Sequence, residues 1–440
     1  MDFPSNCHKY LRKHSDNKSH CYQADKMRTL KNLINLLFLL LGYLSLRSKR
    51  KIVFGAWDGK SYSDNPRFLF EYYFDHPEWQ IVWIGNKSVK NSLPPLPKNA
   101  TYAKRHSLIG LWHALTAKTW VFSHSPNDIA IVAIWGAALL LNTWHGVALK
   151  KFGEKAVSYI KHRSVFEAFW KKIFAKKIFL VVPSKIQGTN TLASYPGLFQ
   201  EPILPYGSAA LDYILKNKSN LDLIGNLRSK FAKTFNLPID KKWVVYAPTF
   251  RLTKQENFSF VKITATEMER LQRTLDMNNA ILIEKLHPNL IDENGLCTAT
   301  NIYSINGTKA KLIETHELWL AADAIISDYS SCVIPFYLQN KPVIHFAYDY
   351  GFYHTVDSGL IMNLNDIRFG LIAYTISDLC KIMSKLDDAK GQCGKFAHHL
   401  IEYEKGNACT QCFNFIEQIL SSHDKYDQYA DIKIQSKESS

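Results

Sequence analysis

The 440-residue sequence has no uninterrupted apolar run as long as the ~20 residues that a helix needs to cross a bilayer. Its nearest approach, Leu33 to Leu46 (LINLLFLLLGYLSL), is too short to span and starts too late for a secretory signal. No small-residue cleavage site precedes the basic stretch Arg47 to Lys51. The eight cysteines are scattered, and the one CxxC, Cys409 to Cys412, has no partner pair, which excludes a zinc ribbon and fits reduced thiols. Cys7, His8, His14, His20 and Cys21 fall in a Lys/Ser/Asn-rich stretch without fold-like spacing and read as a solvated tail. There is no internal repeat or low-complexity block. Zinc fingers, RNA-binding aromatic signatures and heptad-linked basic regions are also missing, so no nucleic-acid partner is expected. The formal charge of +15 then points to phosphate-bearing substrates and an anionic membrane surface.

What the chain does have is two series of short apolar runs alternating with helical lengths. The first comprises Ile52 to Ala56, Gln80 to Gly85, Trp120 to Ser123, Leu139 to Thr143 and Phe179 to Pro183. The second comprises Trp243 to Ala247, Ala280 to Glu284, Asn301 to Ser304, Ala324 to Ser327 and Pro342 to Phe346. Such runs predict α/β lobes with parallel sheets covered on both faces. The proline pair in Glu201-Pro202-Ile203-Leu204-Pro205 marks the lobe boundary. The expected division is a basic tail and apolar helix over 1–50, a first lobe over 51–205, a second over 206–424 and a polar tail over 425–440.

Two segments carry membrane-like patterns. Leu33 to Leu46 is flanked by Lys26, Arg28 and Lys31 before and by Arg47, Lys49, Arg50 and Lys51 after. It reads either as a first helix packed on the lobe or as a helix lying in the interface of an anionic leaflet. In Val157 to Lys177, Val165, Phe166, Phe169, Ile173 and Phe174 recur at helical spacing among Lys161, His162, Arg163, Lys171, Lys172, Lys176 and Lys177. That predicts a basic amphipathic helix at a membrane surface, or one packed on the sheet with snorkelled lysines.

Four strand ends carry chemistry. Ser327-Asp328-Tyr329-Ser330-Ser331 follows one predicted strand and precedes a helix, placing hydroxyls and backbone N–H groups where an anion such as a diphosphate is favoured. Ser and Asp also cap helices without any ligand. Trp144-His145-Gly146-Val147-Ala148-Leu149-Lys150 follows another strand. Gly146 allows close backbone approach, His145 takes a proton near neutral pH, and Lys150 can meet phosphate. Tyr246-Ala247-Pro248-Thr249-Phe250-Arg251 and Glu284-Lys285-Leu286-His287-Pro288 complete the set. In open α/β sheets, ligands collect at the carboxyl ends of strands.

The ordered set WHGVALK, YAPTFR, KLHP and SDYSS followed by KPVI resembles the CDP-glycerol glycerophosphotransferase family, the teichoic-acid and capsule primases and polymerases. The likeness runs from about Lys51 to Lys385. It departs from the family's usual pattern at Phe250, at Lys285 and in Gly207-Ser208-Ala209-Ala210-Leu211-Asp212, which has no Pro-Arg pair. The resemblance implies a GT-B-like architecture of two Rossmann-type lobes with the active site in the cleft between them. It also implies transfer of glycerol phosphate from CDP-glycerol to a hydroxyl of a lipid-linked or polymer acceptor, by a peripheral enzyme at the cytoplasmic face of the bacterial membrane. A ribitol-phosphate transferase using CDP-ribitol, a GT-B nucleotide-sugar glycosyltransferase and a non-catalytic membrane-surface protein are the alternatives.

The chemistry needs positioning, neutralisation of the donor phosphates and removal of the acceptor proton. His145 is the first candidate base, with an ordinary imidazole pKa of ~6.5, and His287 the second, as base or phosphate ligand. Gly146, Lys150, Thr249, Arg251, Lys285, Asp328, Ser330 and Ser331 are expected around the donor: Arg251 and Lys285 against the diphosphate, Ser330 and Ser331 donating to it, Asp328 orienting the loop or a donor hydroxyl. No paired carboxylates at metal spacing accompany the motifs, so no tightly bound metal or cofactor is expected, although loosely held Mg²⁺ is compatible with the pattern.

Overall fold

A computed structural model describes residues 34–155, 178–200, 203–249, 251, 260, 263–286, 299–305 and 313–421. Among these described residues, twelve strands form two six-stranded parallel sheets. The first contains β1 (Ser48–Gly55), β2 (Gln80–Gly85), β3 (Ala100–Lys104), β4 (Ala117–Phe122), β5 (Leu139–Asn142) and β6 (Ile178–Leu180), in the order β3-β2-β1-β4-β5-β6. The second contains β7 (Lys242–Tyr246), β8 (Ala280–Glu284), β9 (Ile302–Ser304), β10 (Ala324–Ser327), β11 (Val343–Phe346) and β12 (Leu371–Ala373), in the order β12-β11-β10-β7-β8-β9. Each is the doubly wound Rossmann order, with a switch point between β1 and β4 in one lobe and between β7 and β10 in the other.

Every strand in the middle of a sheet is apolar on both faces because helices cover both. In β7, Trp243 and Val245 pack into one core with Ile281, Ile325 and Val343. Val244 and Tyr246 enter the opposite core with Leu282, Ile326 and Ile344. The first sheet divides likewise, Ile52, Phe54 and Val121 on one face and Val53, Trp120 and Phe122 on the other. The two strands missing from the sequence reading, β3 and β12, are outer strands of their sheets.

The lobes exchange chain. Val147 and Leu149, just after β5, bury into the second lobe's core. Lys150 pairs antiparallel with Leu360, and Lys151 N–H donates to Gly359 O at 2.9 Å. At the far end, helix Ala408–Ser421 packs Cys409, Cys412, Phe415, Ile416 and Leu420 into the first lobe's core. The C-terminal helix therefore belongs to the first lobe rather than to the second, and its CxxC is core packing with both thiols free and buried. The return of the chain to the first lobe is tied to its entry into the second where Ser208 donates to Glu404 through N–H (3.0 Å) and Oγ (2.7 Å), and Asp212 accepts from Cys409 N–H at 2.8 Å. Gly207 stands at φ +83°, and a Cβ there would meet Tyr403 O at 2.6 Å. Gly207 and Asp212 thus serve the crossing.

A helix over 34–44 precedes β1 and is fastened by Arg47, whose guanidinium donates to the carbonyls of Gly136, Ala114, Ala117, Gly42 and Ile134. Burial, with no carboxylate partner among the described residues, lowers its pKa to about 10. The helix buries Leu39 and leaves Leu37, Leu40, Leu41 and Leu44 exposed. Beside it, helix Leu108–Thr116 exposes Leu108, Ile109 and Trp112. No helix among the described residues is long and apolar enough to cross a membrane. The predicted amphipathic segment Val157 to Lys177 lies outside the described residues.

Candidate active site

The two switch points are built on the same device. In the first lobe, buried Asp128 follows β4 and accepts from the N–H groups of Ser123 (3.0 Å) and His124 (2.9 Å), and across the switch point from Asp58 N–H (2.8 Å), on the loop after β1. In the second, buried Asp328 follows β10 and accepts from Tyr329 N–H (2.6 Å), and across its switch point from Thr249 N–H (2.8 Å) and Oγ1 (2.5 Å), on the loop after β7. A carboxylate taking several N–H bonds rigidifies both strand-end loops at once.

On the first lobe's side of the cleft, four aromatic rings form one cluster. His145 stacks on His124 with centroids 3.9 Å apart and planes at 7°. Trp144 stacks on His145 at 4.9 Å, and Trp57 stands tilted against His124 at 4.4 Å and edge-on to His145 at 6.1 Å. Trp57, Asp58, Asp64 and Trp144 all adopt positive φ, between 51° and 60°. For residues other than glycine this costs about 1–3 kcal/mol each and persists where the surroundings over-determine it. His145 is exposed to the cleft, and its Nδ1 lies 3.4 Å from Ser123 O. Crowding by both lobes, the neighbouring His124 and Lys150 hold its pKa below the ordinary imidazole value, so it is neutral and able to accept a proton at neutral pH. His124 is also lowered by desolvation, with Asp128 and Asp58 opposing.

The second lobe answers with Ser330, Ser331 and Lys285. β10 leads through a 3-10 turn, Ser331–Val333, into a helix of five residues, Ile334–Leu338. Ser330 is therefore also a cap, its Oγ accepting from Cys332 N–H at 3.3 Å. Ser331 faces the other lobe: a Cβ on Gly146, at φ +133°, would stand 2.9 Å from Ser331 Oγ. Lys285, at the end of β8, is accessible, and its pKa is lowered by desolvation against the attraction of Cys332, Glu314 and Asp64. Lys150 is lowered by desolvation too, with Asp328 and Asp357 opposing.

The sequence-predicted residues thus separate into two layers. His145 is exposed and Gly146, Lys150, Lys285, Ser330 and Ser331 are half-buried, with Gly146 and Ser331 meeting across the two lobes. Thr249, Asp328 and Arg251 lie beneath them. Arg251, expected against the diphosphate, is 1% exposed and meets Asp328 at 2.9 Å and Asp349 at 2.9 Å, with its guanidinium over the Tyr353 ring at 4.8 Å. Two carboxylates already compensate its charge. His287 lies outside the described residues.

Sequence reasoning missed Trp57, Asp58, Asp64, His124 and Asp128. Their signal was position: His124 follows β4 as His145 follows β5, and Trp57 follows β1, so the strand-end rule that found one finds the others. Among the described residues no group of three or more His, Cys, Asp or Glu is arranged to hold a metal ion.

This architecture matches known proteins. The chain superposes on a solved structure of the wall teichoic acid polymerase TagF with a TM-score of 0.68 at 21% identity, covering 95% of this chain and 99% of that one, a likeness that carries the fold. A teichoic acid glycerol-phosphate transferase of Staphylococcus aureus is 25% identical over 83% of this chain and 91% of its own length. A teichoic acid poly(glycerol phosphate) polymerase of Bacillus spizizenii is 25% identical over 82% and 89%. The profile of the family described as CDP-Glycerol:Poly(glycerophosphate) glycerophosphotransferase matches residues 38–418. The chain belongs to the CDP-glycerol:poly(glycerophosphate) glycerophosphotransferase family.

Proposed function

We propose that this enzyme binds CDP-glycerol across the cleft and transfers glycerol phosphate to a hydroxyl of a lipid-linked or growing teichoic-acid acceptor, with His145 as general base. The acceptor oxygen attacks the phosphorus that bears glycerol, the P–O bond to the cytidylyl phosphate breaks, and CMP leaves with the electron pair while His145 takes the proton. The observation that carries this reading is the meeting of His145-Gly146 with Ser331 from the opposite lobe. A neutral acceptor of protons stands there within reach of hydroxyl and backbone donors suited to a phosphate.

Lys150 and Lys285 neutralise the diphosphate, and Ser330 and Ser331 donate to it. Thr249, Asp328 and Arg251 hold the loop that presents the serines, and His287 remains a second candidate for base or phosphate ligand. The apolar face formed by helix 34–44 and helix Leu108–Thr116, beside Arg47 and Lys49, suits the anionic cytoplasmic face of the membrane, where a lipid-linked acceptor resides.

The test is turnover by the purified chain with CDP-glycerol, CDP-ribitol or a UDP-sugar and a synthetic lipid-linked acceptor, read by mass spectrometry. Product growing by glycerol phosphate units supports the reading, and their number separates a primase from a polymerase. Turnover confined to CDP-ribitol or a UDP-sugar overturns it.

A further inference from the structure

We propose that Asp64 is a positioning residue for the transfer reaction, holding Trp57 against the edges of His124 and His145 so that the imidazole of His145 keeps one orientation. The inference rests on the reading of His145 as general base.

His145 has little else to hold it. Its side chain is open to the cleft, and the one hydrogen bond its ring makes among the described residues is the 3.4 Å contact with Ser123 O, at the long limit for such a bond. Its orientation is set by the neighbouring rings, His124 stacked at 3.9 Å, Trp144 at 4.9 Å and Trp57 edge-on at 6.1 Å. His124 is in turn braced by Trp57 at 4.4 Å. Those rings come from three different strand-end loops, so the cluster keeps its arrangement only if its two tryptophans are fixed.

Trp57 and the Trp144 backbone are both held by one dipeptide. Asp64, the first residue of helix Asp64–Tyr72, accepts a hydrogen bond from the indole N–H of Trp57. Asn65, the next residue, donates from Nδ2 to Thr143 O at 2.8 Å and Trp144 O at 3.1 Å, while its Oδ1 accepts from Ala210 N–H at 2.9 Å. Asp64 thus governs Trp57 and Asn65 the Trp144 backbone, from a helix buried against the first lobe's core. The left-handed backbone at both Asp64 (φ +60°) and Trp57 (φ +51°) is what brings carboxylate and indole together. Burial and the nearby Glu314 raise the Asp64 carboxyl to about 7, and either protonation state can accept the indole N–H.

The test compares Asp64→Ala, Asp64→Asn and Trp57→Phe, with His145→Ala alongside, for kcat and for the KM of CDP-glycerol. Asp64→Ala removes the acceptor, Trp57→Phe keeps a ring but removes the donor, and Asp64→Asn keeps an acceptor without the charge. Asp64→Ala and Trp57→Phe should each lower kcat by about tenfold or more while the donor KM stays within about threefold, since misorientation of a base acts on the chemical step. Asp64→Asn should stay within about threefold of wild type, and the Asp64→Ala/Trp57→Phe double variant should be no slower than the slower single one, because both cut the same link.

Wild-type kcat in Asp64→Ala overturns the proposal. So does an Asp64→Asn variant as slow as Asp64→Ala, which would make the carboxylate itself the reacting group. Should Asp64→Ala fail to fold, Trp57→Phe and Asp64→Asn decide the matter by the same criteria. Retained turnover in His145→Ala overturns the base assignment and the proposal with it, whereas loss there beside an unimpaired Asp64→Ala overturns the proposal alone.

Discussion

Gly146 of the first lobe and Ser331 of the second approach so closely that a single Cβ on Gly146 would stand 2.9 Å from Ser331 Oγ. At φ +133° the glycine backbone is also one that a side chain rarely adopts. Gly146→Ala therefore strains its own loop, by about 1–3 kcal/mol, and displaces a proposed phosphate donor on the opposite lobe. The expected outcome is a fall in kcat/KM of about tenfold or more, measured with CDP-glycerol. Unchanged kcat/KM would remove this contact from the active site.

Removal of the proposed base isolates the chemical step. His145→Ala should keep the fold, since the ring is exposed to the cleft, and lower kcat by about 10²-fold or more, the usual worth of general acid–base catalysis. Donor affinity measured by calorimetry should change little. Near-normal turnover would move the role to another group, with His287 the next candidate.

Arg251 and Ser331 should fail in different ways. Arg251 sits between Asp328 and Asp349 with its guanidinium 1% exposed. Arg251→Ala leaves two acids uncompensated and should cost about 3–5 kcal/mol of stability, seen as a large drop in Tm. Ser331→Ala removes a hydroxyl at the cleft wall and should raise the CDP-glycerol Kd by about tenfold with Tm unchanged, as expected for one hydrogen bond to a charged group. If Arg251→Ala instead keeps Tm and weakens only donor binding, the guanidinium is a phosphate ligand after all.

How much of this was legible in the sequence follows from what each feature depends on. The inner strands announce themselves because burial on both faces demands continuous apolar runs, as in Ile281-Leu282-Ile283. β3 (Ala-Thr-Tyr-Ala-Lys) is an outer strand with partly exposed residues, and β12 has three residues, so neither carries that signal. His145, Gly146 and Lys150 were readable because glycine, a titratable ring and a cation share one strand end. The partners of Arg251 were not. Asp349 lies 98 residues away in the chain, and nothing local distinguishes an arginine facing a phosphate from one facing a carboxylate. The ring cluster was hidden for the same reason, since Trp57, His124 and Trp144 come together only when the switch point folds.

The crossing between the lobes carries its own pH dependence. Glu404 is buried and accepts both N–H and hydroxyl of Ser208, and burial raises its carboxyl to about 8 despite those bonds. An unfolded chain releases that proton near the ordinary Glu value of ~4.3. Between those two values the folded protein holds a proton that the unfolded one has lost, so stability declines as pH rises through this window. Glu404→Gln has no proton to release and still offers Ser208 an acceptor. Its Tm should therefore fall less than wild type's between pH 5 and pH 8, with the variant at its greatest relative disadvantage at the acid end, where wild-type Glu404 is neutral. Thermal melts of the two proteins across that range measure the difference directly. Parallel curves would mean that Glu404 is ionised in the folded protein, and that the crossing tolerates a charge that its burial should reject.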